Sequence, residues 1–167
     1  LKFGKEAGEA LYRQAVEVDL DCNYQYAAAM WQWKRPLDAM AVLDTVPENC
    51  LSMRIRGFSN YTLGDYQKAI SNLEKMRDNC TMDNYARFKM ASARVQLGDE
   101  NGLRLLRKLA EEDPAKTSYR FQLILAMEKF GETQNASEEL EKMFREGKVR
   151  ANQFDPEVHL RLYQLAL

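Results

Sequence analysis

The chain predicts an all-α fold, a right-handed α-solenoid of helix-turn-helix repeats. Three observations carry that prediction. The run Tyr61-Thr62-Leu63-Gly64-Asp65-Tyr66-Gln67-Lys68-Ala69-Ile70 sets a Gly-Asp turn between two amphipathic stretches. The turn returns at Leu97-Gly98-Asp99 and Phe130-Gly131-Glu132, with a weaker echo at Phe3-Gly4-Lys5. Small residues stand at matching places in the flanking stretches, where two helices must approach closely. A period of roughly 34 residues marks stacked hairpins, each too small to bury its apolar face alone.

The elements follow in order. Residues 1–19 read as a half-repeat, a single helix with Gly8, Tyr12 and Ala15 on one face. The repeat at 20–49 carries Ala27 and Ala39 at its small positions. Pro36 opens its second helix in the first turn, where a missing N–H costs nothing, and Val46-Pro47 ends it. The clearest repeat, 50–83, has Gly57 at the helix crossing, then Ala69, Leu73 and Met76 on one face of its second helix. The repeat at 84–116 carries Ala91, the Gly98-Asp99 turn, Leu106 and Leu109, and stops at Asp113-Pro114. Its turn is one residue short, which sets Gly102 where Ala is expected, and glycines at Gly98 and Gly102 weaken that helix start by about 1 kcal/mol. The repeat at 117–150 has Gly131, Ala136, Leu140 and Met143, but bulky Ile124 at its first small position. Residues 155–167 form a terminal or capping helix: Asp155 caps it, Pro156 opens it, and Val158, Leu160, Leu162, Leu165 and Leu167 make it strongly apolar.

On these turns, small positions and spacing, the chain resembles the tetratricopeptide repeat family over nearly its whole length, best at 61–76. It departs from the family where a large aromatic is usual early in the first helix, for Met53, Arg87 and Arg120 stand there. The resemblance implies that the first helix of each repeat lines a concave groove. It implies a lining of Tyr24, Trp31 and Gln32, then Leu51, Arg54, Phe58, Tyr61 and Thr62, then Tyr85, Phe88, Ser92 and Gln96, then Phe121, Leu125, Glu128 and Lys129. Tyr24, Trp31, Arg54, Phe58, Tyr61, Tyr85, Phe88 and Phe121 are the expected partner-binding residues. The family's carboxylate clamp would need Lys and Asn where Arg54/Phe58 and Phe88/Ser92 stand, so chaperone C-termini are disfavoured ligands. An aromatic groove suits a protein partner offering an amphipathic helix or an extended peptide with apolar anchors. The expected function is therefore a noncatalytic interaction scaffold. The alternative is an architectural subunit that assembles through its ends and terminal helix, as a homodimer or within a larger complex.

Composition trims the other classes. Lys and Arg total 24 against 25 for Asp and Glu, so the basic footprint of a nucleic-acid partner is absent. No apolar run approaches the ~18 residues of a membrane span. No Gly-rich phosphate loop, His-Glu-x-x-His or Gly-x-Ser-x-Gly occurs. The one histidine, His159, has Asp155 four residues before it and reads as a helix-end pair. No catalytic residue, metal ligand or cofactor is expected. Lys34-Arg35 and Arg104/Arg107/Lys108 are small basic clusters that could hold an acidic partner, but they read better as solvated helix faces.

Cys22, Cys50 and Cys80 are an odd number without a Cys-x-x-Cys pair. They are expected to be reduced, half-buried thiols, and the location cytoplasmic. Three sequons, Asn60-Tyr61-Thr62, Asn79-Cys80-Thr81 and Asn135-Ala136-Ser137, keep a lumenal location open. Two of them fall inside expected helices, where a glycan fits poorly.

Overall fold

The computed structural model describes residues 2–19 and 21–147, and every regular element among them is a helix. They are α1 (Lys2–Val18), α2 (Cys22–Gln32), α3 (Pro36–Leu43), α4 (Cys50–Thr62), α5 (Tyr66–Asn79), α6 (Asn84–Gln96), α7 (Glu100–Glu112), α8 (Thr117–Lys129) and α9 (Thr133–Arg145). The expected helix at 155–167 and His159 lie outside the described residues.

The helix pairs join through one turn, used four times. After α2, α4, α6 and α8 the chain swings into the left-handed region at Lys34, Gly64, Gly98 and Gly131, with φ of 65°, 81°, 77° and 80°. The next amide then reaches back five residues: Arg35 N–H to the Met30 carbonyl, Asp65 to Asn60, Asp99 to Arg94 and Glu132 to Met127. This closes each helix by satisfying carbonyls that its last turn leaves open. Glycine takes three of the four positions because only it meets positive φ without a Cβ clash. At the fourth stands Lys34, so the first turn carries no glycine for a sequence search to find. Asp65 and Asp99 then cap the following helices, their side chains accepting from the amides of Lys68 and Asn101.

The chain divides into two compact units, Leu1–Ala93 and Arg94–Leu167. In the first, α2 packs on α3 and on α4, α3 on α4, α4 on α5, and α1 on α2. Its core is made by the predicted crossings. Ala27, Ala39 and Ala69 are fully buried, with Met30, Leu43, Leu73 and Met76 closing around them. Gly57 is where α4 and α5 come closest: a Cβ there would lie 2.7 Å from Cγ of Leu73. Asn49 and Ser52 start α4 with a capping box, each side chain accepting from the other's amide. Tyr12 stacks on Tyr26, and Glu9 reaches Arg35 at 2.7 Å, which ties α1 to the α2–α3 hairpin.

The cysteine expectation is overturned. Cys50 and Cys80 form a disulfide, and Cys22 is the one free thiol among the described residues. The reason is topological. Cys50 opens α4 and Cys80 follows the end of α5, so an antiparallel hairpin brings together two residues that lie 30 apart in sequence. A bridge there fastens the open end of the hairpin, opposite the Gly64 turn.

In the second unit α7 packs on α8 and α8 on α9. Ala136, Leu140, Met143, Leu106 and Leu109 are buried at the interfaces. Ile124 at the expected small position is also fully buried, and α8 still packs on α9. Arg120 replaces the usual aromatic and is only 4% exposed. Its guanidinium pairs with Glu139 of α9 and Glu146 just beyond it, so a charged clamp fastens this hairpin. The turn before α7 is not one residue short as expected: it has the length and the closing bond of the Gly64 turn, and Gly102 is buried within α7, its amide bonded to the Asp99 carbonyl.

Candidate functional site

The first unit gathers aromatic side chains from three helices that are remote in sequence. Trp31 near the end of α2 meets Phe58 of α4, ring centroids 5.3 Å apart. Phe58 meets Tyr85 at the start of α6 edge-on at 5.2 Å, and Tyr85 lies 6.3 Å from Phe88 one turn along. Phe58, 3% exposed, is the floor of this ladder; Trp31 and Phe88 are half-buried, and Tyr85 is 38% exposed. Edge-on and tilted contacts suit rings whose faces are negative and edges positive. Tyr61, one turn after Phe58, packs against Tyr66 of α5 at 5.6 Å. Burial, and then the neighbouring Tyr66, push its phenol above the ordinary range.

Charge borders the ladder. Arg54 lies over the Phe58 ring, 5.2 Å from its centroid, and pairs with Asp83 at 2.7 Å. Asp83 also accepts from the Ala86 amide through its other oxygen, which fixes the entry to α6. Lys89 sends its ammonium over Tyr61 at 4.4 Å, Tyr85 at 5.4 Å and Phe88 at 5.8 Å. A cation above a ring face is attracted by the ring quadrupole, by about 0.5–1 kcal/mol where exposed and ~2 kcal/mol where dry.

The expected binding residues therefore divide. Trp31, Arg54, Phe58, Tyr61, Tyr85 and Phe88 come together in one patch. Tyr24 does not join them: it belongs to the core with Ala27, Met30 and Leu43, and its hydroxyl donates to the Pro47 carbonyl at 2.9 Å. Phe121 lies on α8 in the second unit, half-buried. The residue that sequence reasoning passed over is Lys89. Its signal was present, since Tyr85 and Lys89 are four apart and therefore share a helix face. Arg54 was expected to greet a ligand, yet it is engaged by Asp83.

Elsewhere, a notch of ≈ 380 Å³ in the second unit is lined by Arg107, Glu111, Arg120, Leu123 and Lys142, among others. Its two arginines are held by carboxylates, Arg107 by Glu132 and Arg120 by Glu139 and Glu146. No group of three His, Cys, Asp or Glu side chains among the described residues could hold a metal ion. No helix among them is long and apolar enough to cross a membrane. Asn60 is 7% exposed within α4, so a glycan cannot sit there in the folded protein, whereas Asn79 and Asn135 are exposed. Neither a protein-family model nor a curated protein sequence matches the chain.

Proposed function

We propose that this chain is a noncatalytic adaptor, a tetratricopeptide-like α-solenoid that binds a segment of a partner protein along the aromatic ladder of α2, α4 and α6. The observation that carries the reading is the ladder itself. Four rings from three helices line up, and the outermost ones keep open area although a well-buried floor already stabilises the unit. Aromatic anchors of this kind dominate binding energy because they offer large area with few rotors to freeze. The four repeated turns, and the packing of successive helices from α1 to α5 and from α7 to α9, support the solenoid reading. The disulfide bears on location: a bridge between Cys50 and Cys80 persists in an oxidising environment and favours such a compartment over the cytoplasm.

The test is a Tyr85→Ala/Phe88→Ala variant compared with wild type in partner capture, with far-UV circular dichroism as the folding control. Phe58 is left intact because it is floor. The proposal expects a partner retained by wild type and lost by a variant of unchanged helix content. An identical set of bound proteins on both baits overturns it. Concentration-dependent mass that the variant leaves unchanged favours the rival reading, assembly through the ends of the array.

A further inference from the structure

The aromatic face carries positive charge that its own residues leave unbalanced. Lys89 is half-buried, and its contacts are the three rings of Tyr61, Tyr85 and Phe88. Rings polarise toward a cation but bring no net charge, and no carboxylate among the described residues pairs with this ammonium. The carboxylate beside the ladder, Asp83, is fully committed: one oxygen holds Arg54 and the other accepts the Ala86 amide. A second cation stands near. Lys34 stands three residues after Trp31 at the left-handed turn, its amide bonded to the Trp31 carbonyl, and its side chain is exposed. Burial, and then the repulsion from Lys34, hold the Lys89 ammonium below the usual lysine range. A half-buried ammonium held among rings and repelled by a second one gains from an anion placed against it.

Three features narrow that anion. The surroundings are aromatic, so the groups beside it must be apolar. Two ammoniums without a free arginine match one carboxylate better than a run of phosphodiesters. Charge elsewhere on the chain is balanced, with none of the basic excess that a nucleic-acid track requires. We propose that this face selects a peptide segment in which an Asp or Glu side chain sits beside large apolar residues, the carboxylate meeting Lys89 and Lys34 while the apolar groups lie on Trp31, Tyr85 and Phe88. This inference rests on the reading of the ladder as a docking surface.

The experiment is selection from a random 12-residue peptide library displayed on phage through the peptide C-termini, so that no terminal carboxylate is free. The baits are the whole chain, Lys89→Met, Lys89→Arg and Tyr85→Ala/Phe88→Ala. Wild type and Lys89→Arg are expected to enrich an acidic residue next to aromatic or aliphatic ones. Lys89→Met is expected to keep the apolar preference and lose the acidic one. One selected peptide is then synthesised with its acid and with the matching amide. The amide twin should bind wild type about tenfold more weakly, and the two twins should bind Lys89→Met within about twofold of each other. Because the twins alter only the peptide, this comparison is independent of how well any variant folds. Apolar enrichment without an acid, or twins that wild type binds equally, overturns the carboxylate inference and leaves the docking surface standing. No enrichment on wild type, or the same peptides on Tyr85→Ala/Phe88→Ala, overturns the docking surface itself. Tighter binding of a twelve-nucleotide oligothymidylate than of any peptide, lost in Lys89→Met, overturns the inference in favour of single-stranded nucleic acid.

Discussion

The close crossing of α4 and α5 at Gly57 makes a double-mutant cycle informative. In Gly57→Ala the new methyl would lie 2.7 Å from Leu73 Cγ and 2.8 Å from its Cδ2. That is roughly 0.8 Å inside the lower edge of carbon–carbon contact. Leu73 is fully buried, so the helices must part or Leu73 must leave its rotamer. Overpacking of this kind costs about 1–3 kcal/mol, against a gain of about 1 kcal/mol from the better helix propensity of Ala. The expected net effect of Gly57→Ala is a loss of about 0–2 kcal/mol. Leu73→Ala alone leaves a cavity and should cost about 2–5 kcal/mol. In the pair the obstruction is gone, the methyl fills part of the cavity, and the propensity gain remains. The double variant should therefore be more stable than the sum of the singles by about 1–3 kcal/mol. Urea unfolding followed at 222 nm for the four proteins reads this coupling. Additivity within about 0.5 kcal/mol, or a Gly57→Ala protein more stable than wild type, would refute the close crossing.

Four further outcomes are expected. Reduction of Cys50–Cys80, or Cys50→Ser, should cost roughly 3–4 kcal/mol from the entropy regained by a loop of this size in the unfolded chain; thermal melts that coincide with and without reductant would contradict the bridge. Lys34→Gly should raise stability by about 0.5–1 kcal/mol in urea titrations, because glycine meets a φ of 65° without strain; a loss would mean that the lysine side chain supports the turn. Tyr24→Phe should lose about 1 kcal/mol, the bond to Pro47, without changing peptide binding, whereas lost binding would return Tyr24 to the site. Acid should weaken the fold. Asp65 is held below its ordinary range by Lys68, Asp99 by the Asn101 amide, and Glu132 by Asn135 and then Arg107. A carboxyl depressed in the folded state adds stability that is fully present above its unfolded value, near ~4, and is lost as pH falls through the folded value. Urea midpoints should hold from about pH 7 to 5 and drop below ~4; a midpoint that stays level to pH 3 would show that these contacts do not bias folding.

Much of the local structure was readable because its causes are local. The Gly64, Gly98 and Gly131 turns announce themselves because positive φ selects glycine. Gly57 and the alanines at the crossings announce themselves because two helices at close range exclude larger groups. The first turn was harder to see, for Lys34 tolerates the same backbone at a cost in strain. The site was half legible. The resemblance to the repeat family placed Trp31, Phe58, Tyr61, Tyr85 and Phe88 on one face of the first helices, and they do converge. Position within a repeat could not tell that Tyr24 turns its ring into the core, because the carbonyl that receives its hydroxyl belongs to a loop more than twenty residues away. Nor could it assign Arg54 to Asp83 or leave Lys89 among the rings, since those partners belong to different helices.

The amino-acid order by itself determined the helices among the described residues, their turns, their small crossing residues and the near-even balance of charge, all of which follow from torsional preference, periodicity and charge count. The tertiary structure alone decided which aromatics became floor and which kept open area, and that Cys50 and Cys80 meet. It also decided that one ammonium on the ladder has rings, and no carboxylate among the described residues, beside it. Those outcomes depend on distances between segments remote in sequence, and such distances exist only once the hairpins have packed.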